Sequence, residues 1–228
     1  MPTPPDSFII AVDGPAASGK GTLARKLAAH YRFAYLDTGS LYRAVGLKAL
    51  QRDPGGPSED AAIAAAEALA SELAETGNPA VLNDPALRSD ATAEAASRVS
   101  AVAAVRRALL DLQRQFAQAP PGGAPGAVLD GRDIGTVICP QAPAKIFVDA
   151  AVEVRAQRRV KELQERGVHA IYTDVLADLK NRDARDRQRS ASPLKLAAGA
   201  FVLDTTSLDP EAALARAIAY VDRCRQAV

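Results

Sequence analysis

The chain reads as an α/β protein: a five-stranded parallel sheet with helices on both faces, a helical insertion and a short lid. Two observations predict this. Five short apolar runs, Phe8–Asp13, Phe33–Asp37, Ala127–Asp130, Lys145–Asp149 and Ala200–Asp204, are nearly continuous rather than alternating, and each ends in aspartate. Continuous apolar strands separated by helical stretches belong to parallel sheets, whose helical crossovers cover both faces. The first run also enters a glycine-rich loop, Gly14 to Thr22, with an amphipathic helix from about Leu23. Strand, glycine loop and helix in that order is the setting of a phosphate-binding turn.

Size and charge bound the rest. At 228 residues the chain can bury one full core and still carry an insertion. A net charge of +1 argues against coating a nucleic acid, so no nucleic-acid partner is expected. No apolar run approaches the ~18 to 20 residues of a membrane span. Met1 to Ser7 lacks the basic and apolar regions of a signal peptide. Cys139 and Cys224 are isolated, and His30 and His169 are the only histidines, so no metal site built by the protein is expected. A reducing cytoplasm and a monomer are the expected setting.

Taken in order, the elements carry their own justification. The loop comprises Gly14, Pro15, Ala16, Ala17, Ser18, Gly19, Lys20, Gly21 and Thr22. Its amides can converge on phosphate oxygens, the helix behind adds its positive end, and Lys20 adds a cation; a nucleoside triphosphate is the implied ligand. Gly21 stands where the strict motif has a hydroxyl, and Thr22 comes one residue late, which weakens direct magnesium ligation by the loop. The second strand leads into Leu36–Arg43, where Thr38 or Ser40 can cap a helix. Arg43 lies one turn in; an arginine gains nothing from a helix N-terminus, so a nearby phosphate would explain it.

A helical block follows. Glu59–Ala74 is alanine-rich, and Asp90–Ala119 carries Val99, Val102, Val105, Leu109, Leu112 and Phe116 at helical spacing, of which the stripe of Val99, Val105 and Leu109 is expected in the core. Thr76-Gly77-Asn78-Pro79 separates the two, and Pro120 to Gly126 returns the chain to the sheet. The expected division is a core of about 1–37 and 127–228 with an insertion of about 38–126.

The third run ends in Ala127–Thr136, where Asp130 could orient magnesium-bound water, Gly131 permits a tight turn, and Arg132 and Asp133 follow on the ligand-bearing edge. Beyond the fourth, a helix over Glu153–Arg166 carries Arg155, Arg158, Arg159 and Arg166 and stops at Gly167. A loop with His169 and Tyr172 leads to a second helix, about Asp174 to Arg189, ending before Pro193. On it Arg182, Asp186 and Arg189 fall at i, i+4 and i+7, on one face. A carboxylate between two guanidiniums suits a sugar or base edge beside a phosphate, but the same pattern also describes a solvated charged face. Asp209-Pro210 begins a last helix with Leu214, Ile218 and Val221 inward.

The segments GPAASGKGT, LDTGSLYR, ASRVSAVAAVR, LDGRDIGT and RDARDRQR occur in the order found in bacterial cytidylate kinases, and the chain resembles that family from about Phe8 to Val221. The resemblance implies phosphoryl transfer from ATP, with Mg2+, to CMP or dCMP. It implies that Gly14 to Thr22 bind the ATP phosphates and that Thr38, Arg43 and Arg132 approach the acceptor phosphate. Ser97, Arg106, Asp133 and Arg189 would read cytosine, with Asp133 and Arg189 at opposite ends of the pocket. Arg182 and Asp186 would reach the ribose and neighbouring phosphate, and Lys20, Arg132 and Arg182 are the expected catalytic residues. A lid near residues 158–172 would close over the transferring group, its helix bringing Arg155, Arg158 and Arg159 to phosphate only in the closed complex. The chain departs from the family pattern in a shorter insertion, without the small extra sheet of longer members, and in Ala104, where a proline is frequent.

Overall fold

Strand pairing in the computed structural model, which describes residues 7–76 and 79–227, places the first strand at the middle of a single sheet. The readings made above on Met1 to Asp6, Gly77 and Asn78 lie outside the described residues. In chain order the elements are β1 (Phe8–Asp13), α1 (Lys20–Tyr31), β2 (Ala34–Asp37), α2 (Thr38–Arg52), α3 (Glu59–Thr76), α4 (Asp90–Val99) and α5 (Ala103–Gln118). There follow β3 (Gly126–Gly131), β4 (Ala144–Asp149), α6 (Val152–Glu165), α7 (Tyr172–Gln188), β5 (Phe201–Asp204) and α8 (Pro210–Gln226). The chain separates into two units, one of Met1–Leu36 with Ala117–Val228 and one of Asp37–Phe116.

In the first unit the strand order is β2-β3-β1-β4-β5. β1 pairs in parallel with β3 and β4, and β4 with β5. Register sets Asp13 opposite Gly131, so the chain leaves β1 and β3 at one level. β1 lies where the strand order runs outward in both directions, and the crevice beyond the carboxyl ends at such a point is where these sheets take ligands.

The core explains the elements. Leu23, Ala24, Leu27 and Ala28 of α1 form an apolar stripe that packs on Ile10, Val12, Val128, Ile146, Val148 and Leu203. Ala213, Ala217 and Val221 of α8 join that cluster, with Leu214 and Ile218 partly buried against it. Asp209 caps α8 by accepting from Glu211 N at 2.9 Å and Ala212 N at 2.8 Å. Cover on both faces holds at the centre, where β3 is buried throughout. Toward the β5 edge it does not: β4 alternates buried and half-buried residues, and Val202 of β5 is exposed. α8 packs on these strands from one side, so alternation returns on the other.

In the second unit α2 packs against α3 and α4. Its cap is Asp37, whose carboxylate accepts from Gly39 N at 2.9 Å, rather than Thr38 or Ser40. The Ser40 hydroxyl instead donates to Asp37 O at 2.6 Å. The stretch read as helical over Asp90–Ala119 breaks between Val99 and Ala103. Arg106 Nη1 takes the Ser100 carbonyl at 2.9 Å, the acceptor that a continuous helix would offer to Ala104 N. Val99, Val105 and Leu109 are buried as expected. Two 3₁₀ turns, Pro79–Asn83 and Pro85–Arg88, precede α4. No helix among the described residues is long and apolar enough to cross a membrane.

Truncating Leu27, which has no exposed surface, opens a cavity beneath α1. Leu27→Ala should cost roughly 3 kcal/mol by urea denaturation. Leu196→Ala, at a site 54% exposed, should cost under about 0.5 kcal/mol. Equal losses would contradict the packing of α1 on the sheet.

Candidate active site

The glycine loop is shaped by close approaches. Gly14 has φ 154°, and a Cβ there would lie 2.0 Å from Val148 O. Ala17 at φ 59° and Gly19 at φ 88° are left-handed, and such turns gather successive amides into a concave anion nest. α1 begins at Lys20, so its N-terminal amides open toward the loop. The Ser18 hydroxyl is buried with no partner among the described residues. A Cβ on Gly21 would come within 3.0 Å of Asp130 Oδ2. The departure from the strict motif is therefore a matter of room: a hydroxyl-bearing residue here would press on Asp130. That carboxylate is nearly buried, and its Oδ1 lies 3.6 Å from Lys20 Nζ.

Asp13 does work that the sequence reading missed. It is buried and accepts from Ile134 N and Gly135 N, both at 2.8 Å. These amides open a π-helical turn, Ile134–Ile138, immediately after Asp133. The last residue of β1 thus pins the turn that carries Arg132 and Asp133. Burial pushes the Asp13 carboxyl up to about 7; the two amides oppose this, while the charges of Asp133 and Asp130 add to it.

A charge cluster joins two sequence motifs. Arg132 Nε lies 2.9 Å from Asp186 Oδ2. Arg189 Nη2 lies 3.9 Å from Asp133 Oδ1, and its Nη1 lies 3.9 Å from Asp186 Oδ1. Arg189 Nε donates to Ser192 O at 2.7 Å. Burial alone would raise the Asp186 carboxyl, but Arg132, Arg182 and Arg189 outweigh it and hold the group below the usual carboxylate range. The solvated-face reading of α7 is set aside by burial: Asp183 and Asp186 are buried, while Arg185 and Arg187 make up the wet side. Asp133 and Arg189 stand beside each other rather than at opposite ends of a pocket.

The arginines of α6 do not form one group. Arg155 is buried, pairs with both oxygens of Asp183 at 3.1 and 2.7 Å, and donates to Ala150 O and Ala16 O. It is a fixed support rather than a mobile lid arginine, because every one of these acceptors belongs to the packed interior. Arg158 donates to Thr205 Oγ1 and O. Arg159 lies 2.9 Å from Glu162 and lines, with Arg158, Lys20, Thr22, Thr205, Leu208 and Pro210, an open cavity of about 470 Å³. Cations and apolar side chains in one lining suit a polyphosphate bearing a flat base.

In the second unit Thr38 is buried and Arg43 Nη1 donates to Leu87 O at 2.9 Å. Arg106 is buried, with its guanidinium 5.1 Å from the centre of the Tyr42 ring. The Ser97 hydroxyl is buried without a partner among the described residues.

Among the described residues no group of three or more His, Cys, Asp or Glu side chains could hold a metal ion. A hard divalent cation would therefore sit mainly on phosphate oxygens and water, with Asp130 as the carboxylate beside the loop. That donor set fits magnesium arriving with a nucleotide.

A family model described as cytidylate kinase matches residues 10–223. The cytidylate kinase of Rhodospirillum rubrum is 56% identical over 211 residues, covering 92% of this chain and 95% of its own. That of Paramagnetospirillum magneticum is 55% identical over 215 residues, covering 94% and 98%. A crystal structure of an uncharacterized protein from Eubacterium ventriosum aligns with TM-score 0.52 at 15% identity, covering 95% of this chain and 99% of that one, a likeness of fold alone.

Asp13 generates a pH dependence of known sign. Its folded carboxyl titrates near 7 against an ordinary value of 3.8, so between those values the folded chain holds a proton that the unfolded chain releases. The associated stability is present in full below about pH 4 and is lost as pH rises through about 7. From pH 5 to pH 8 this group should cost on the order of 2 to 3 kcal/mol. Asp13→Asn removes that slope, so urea denaturation at the two pH values should show a smaller fall in the variant. Parallel profiles would mean that Asp13 is ionised throughout.

Proposed function

The chain belongs to the cytidylate kinase family, and we propose that it transfers the γ-phosphoryl group of ATP to CMP or dCMP, giving ADP and CDP or dCDP. The observation that carries this reading is the buried cluster in which Arg132 and Asp133, after β3, meet Asp186 and Arg189 of the α7 end, on the sheet that bears the phosphate loop. A loop alone would serve many nucleotide proteins; a second built site of charge is what an acceptor nucleotide needs.

Transfer between phosphates asks the protein for position and charge rather than covalent chemistry. The amides of Gly14 to Thr22 and the α1 N-terminus receive the donor phosphates, and Lys20, held near the loop by Asp130, is the cation that follows the transferring group. Magnesium bound with ATP supplies further neutralisation, and Asp130 would hold its water. The acceptor phosphate is ionised at neutral pH, so no general base is required. Arg132 and Arg182 neutralise charge on the acceptor side, with Thr38 and Arg43 proposed for its phosphate and Ser97 and Arg106 for the base. Water must be kept out or ATP would be hydrolysed; a lid over residues 158–172 is the proposed cover, with Arg159 its candidate phosphate ligand.

Cytosine presents an amino donor next to two acceptors, N3 and O2, whereas uracil presents a carbonyl next to an N–H. A carboxylate beside a guanidinium matches the first edge and opposes the second. Asp133 and Arg189, 3.9 Å apart, form such an edge. Released ADP, measured by a coupled assay over CMP, dCMP, UMP, AMP and shikimate, tests the whole reading; kcat/KM no higher for the cytosine nucleotides would sink it.

Three substitutions test the parts. Lys20→Ala should lower kcat by a hundred- to a thousandfold, about 3 to 4 kcal/mol of transition-state stabilisation, read on folded protein because Asp130 loses a counter-ion. Near-normal turnover in the folded variant would remove Lys20 from the chemistry. Asp133→Ala and Arg189→Ala should each shrink the CMP-over-UMP ratio of kcat/KM by roughly tenfold or more, about 1 to 3 kcal/mol, mainly through CMP. Equal losses on both substrates would mean that these residues do not read the base.

A further inference from the structure

The donor loop is held from behind. In a trans peptide the carbonyl and the following N–H point to opposite sides, so whatever fixes the carbonyl also aims the amide. The two left-handed residues of the loop, Ala17 and Gly19, each follow a carbonyl that accepts a hydrogen bond from outside it. Ala16 O accepts from Arg155 Nη1 at 3.3 Å. Ser18 O accepts from Thr205 Oγ1 at 3.0 Å. Left-handed alanine is strained backbone, and it persists only where the surroundings over-determine it.

Neither support is loose. Arg155 also donates to Ala150 O at 2.9 Å and to both Asp183 oxygens. Thr205, just past β5, donates its N–H to Asp149 O at 2.8 Å, and its hydroxyl proton is shared between Ser18 O and Asp149 O, 3.1 Å away. Arg158 holds Thr205 in turn, through Oγ1 at 3.0 Å and O at 2.6 Å. Ala16 and Ala17 also pack on Val152 and Ala156 of α6 and on Val175, Leu176 and Leu179 of α7.

We propose that Arg155 and Thr205 are positioning residues for the donor nucleotide. They fix the Ala16–Ala17 and Ser18–Gly19 peptide planes so that the Ala17 and Gly19 amides face the phosphates, with Asp183 as the counter-charge that keeps Arg155 in place. The inference rests on the reading of Gly14 to Thr22 as the ATP loop. It assigns the geometry of that loop to side chains outside the loop, and it separates donor affinity from acceptor affinity.

Removing Arg155 alone would strand the Asp183 charge, so the pair is best removed together. Arg155→Met/Asp183→Leu replaces a buried ion pair by apolar volume, a change that stability often tolerates. Thr205→Val keeps shape and loses only the hydroxyl, and Thr205→Ser restores it. Calorimetry with ATP, with inorganic tripolyphosphate and, separately, with CMP reads the outcome. Thr205→Val and the double variant should each bind ATP and tripolyphosphate roughly tenfold more weakly. CMP affinity should stay within about twofold, KM for ATP should rise while KM for CMP does not, and Thr205→Ser should bind as the parent chain does. Unchanged anion affinity in both variants would overturn the proposal, as would a loss of CMP affinity in step with tripolyphosphate, the mark of a general structural role. A parent chain that binds neither ATP nor tripolyphosphate would instead overturn the donor-loop reading, and this inference with it.

Discussion

Three carboxylates crowd the carboxyl edge of the sheet, and the site is organised by the need to bury them. Asp13, Asp130 and Asp133 are each 4% exposed, and the charges of the latter two bear on Asp13. Like charges at close quarters in a dry interior cannot all stay ionised without partners. Each has a different solution. Asp13 takes two backbone amides and a raised proton affinity, Asp130 takes Lys20, and Asp133 takes Arg189. Lys20 and Arg189, two of the cations proposed for the site, are therefore also counter-ions of the edge.

That arrangement bears on how a nucleotide is received. A phosphate entering the edge meets cations that are already positioned and largely desolvated, so less reorganisation is needed at the moment of transfer. It must also share those cations with carboxylates. Arg132 illustrates the balance: its Nε is engaged by Asp186, while its Nη1 donates to the neighbouring Gly131 carbonyl, at 3.1 Å. Asp186, held below the usual carboxylate range by three arginines, stays charged over the working pH range and keeps them oriented.

Much of this was legible in the residues. Strand ends in aspartate located the edge, and the spacing of Arg182, Asp186 and Arg189 located one face of α7, because both follow from backbone periodicity. What escaped was set by contacts distant in sequence. Arg155 looked like one of three equivalent arginines on a charged helix; only the approach of Asp183 and of the Ala16 carbonyl distinguishes it. Asp13 looked like one more strand-end aspartate, and its bonds to Ile134 and Gly135 span the sheet from β1 to the turn beyond β3. Gly21 was readable as a departure from the motif but not as a position crowded by Asp130, since the close approach to a side chain there is made by another strand. The break between α4 and α5 is of the same kind: the periodicity of Asp90–Ala119 is helical throughout, and it is the Arg106 guanidinium that takes the carbonyl needed for continuity.

α7 is the element on which these contacts converge. Asp183 and Asp186 lie three residues apart, on one face, and they address different partners: Arg155, which donates to the glycine loop, and Arg132, in the turn after β3 proposed for the acceptor. A helix advances about 100° per residue, so a one-residue slip would carry both carboxylates off their partners together. Leu179, one turn earlier on the same face, packs on Ala16 of the loop and fixes the rotation by apolar contact. On the proposed assignment, the register of one helix serves the donor side through one aspartate and the acceptor side through the next. In-line transfer requires two phosphates to be held at a set separation, and a single rigid element that references both sides is a direct way to maintain it.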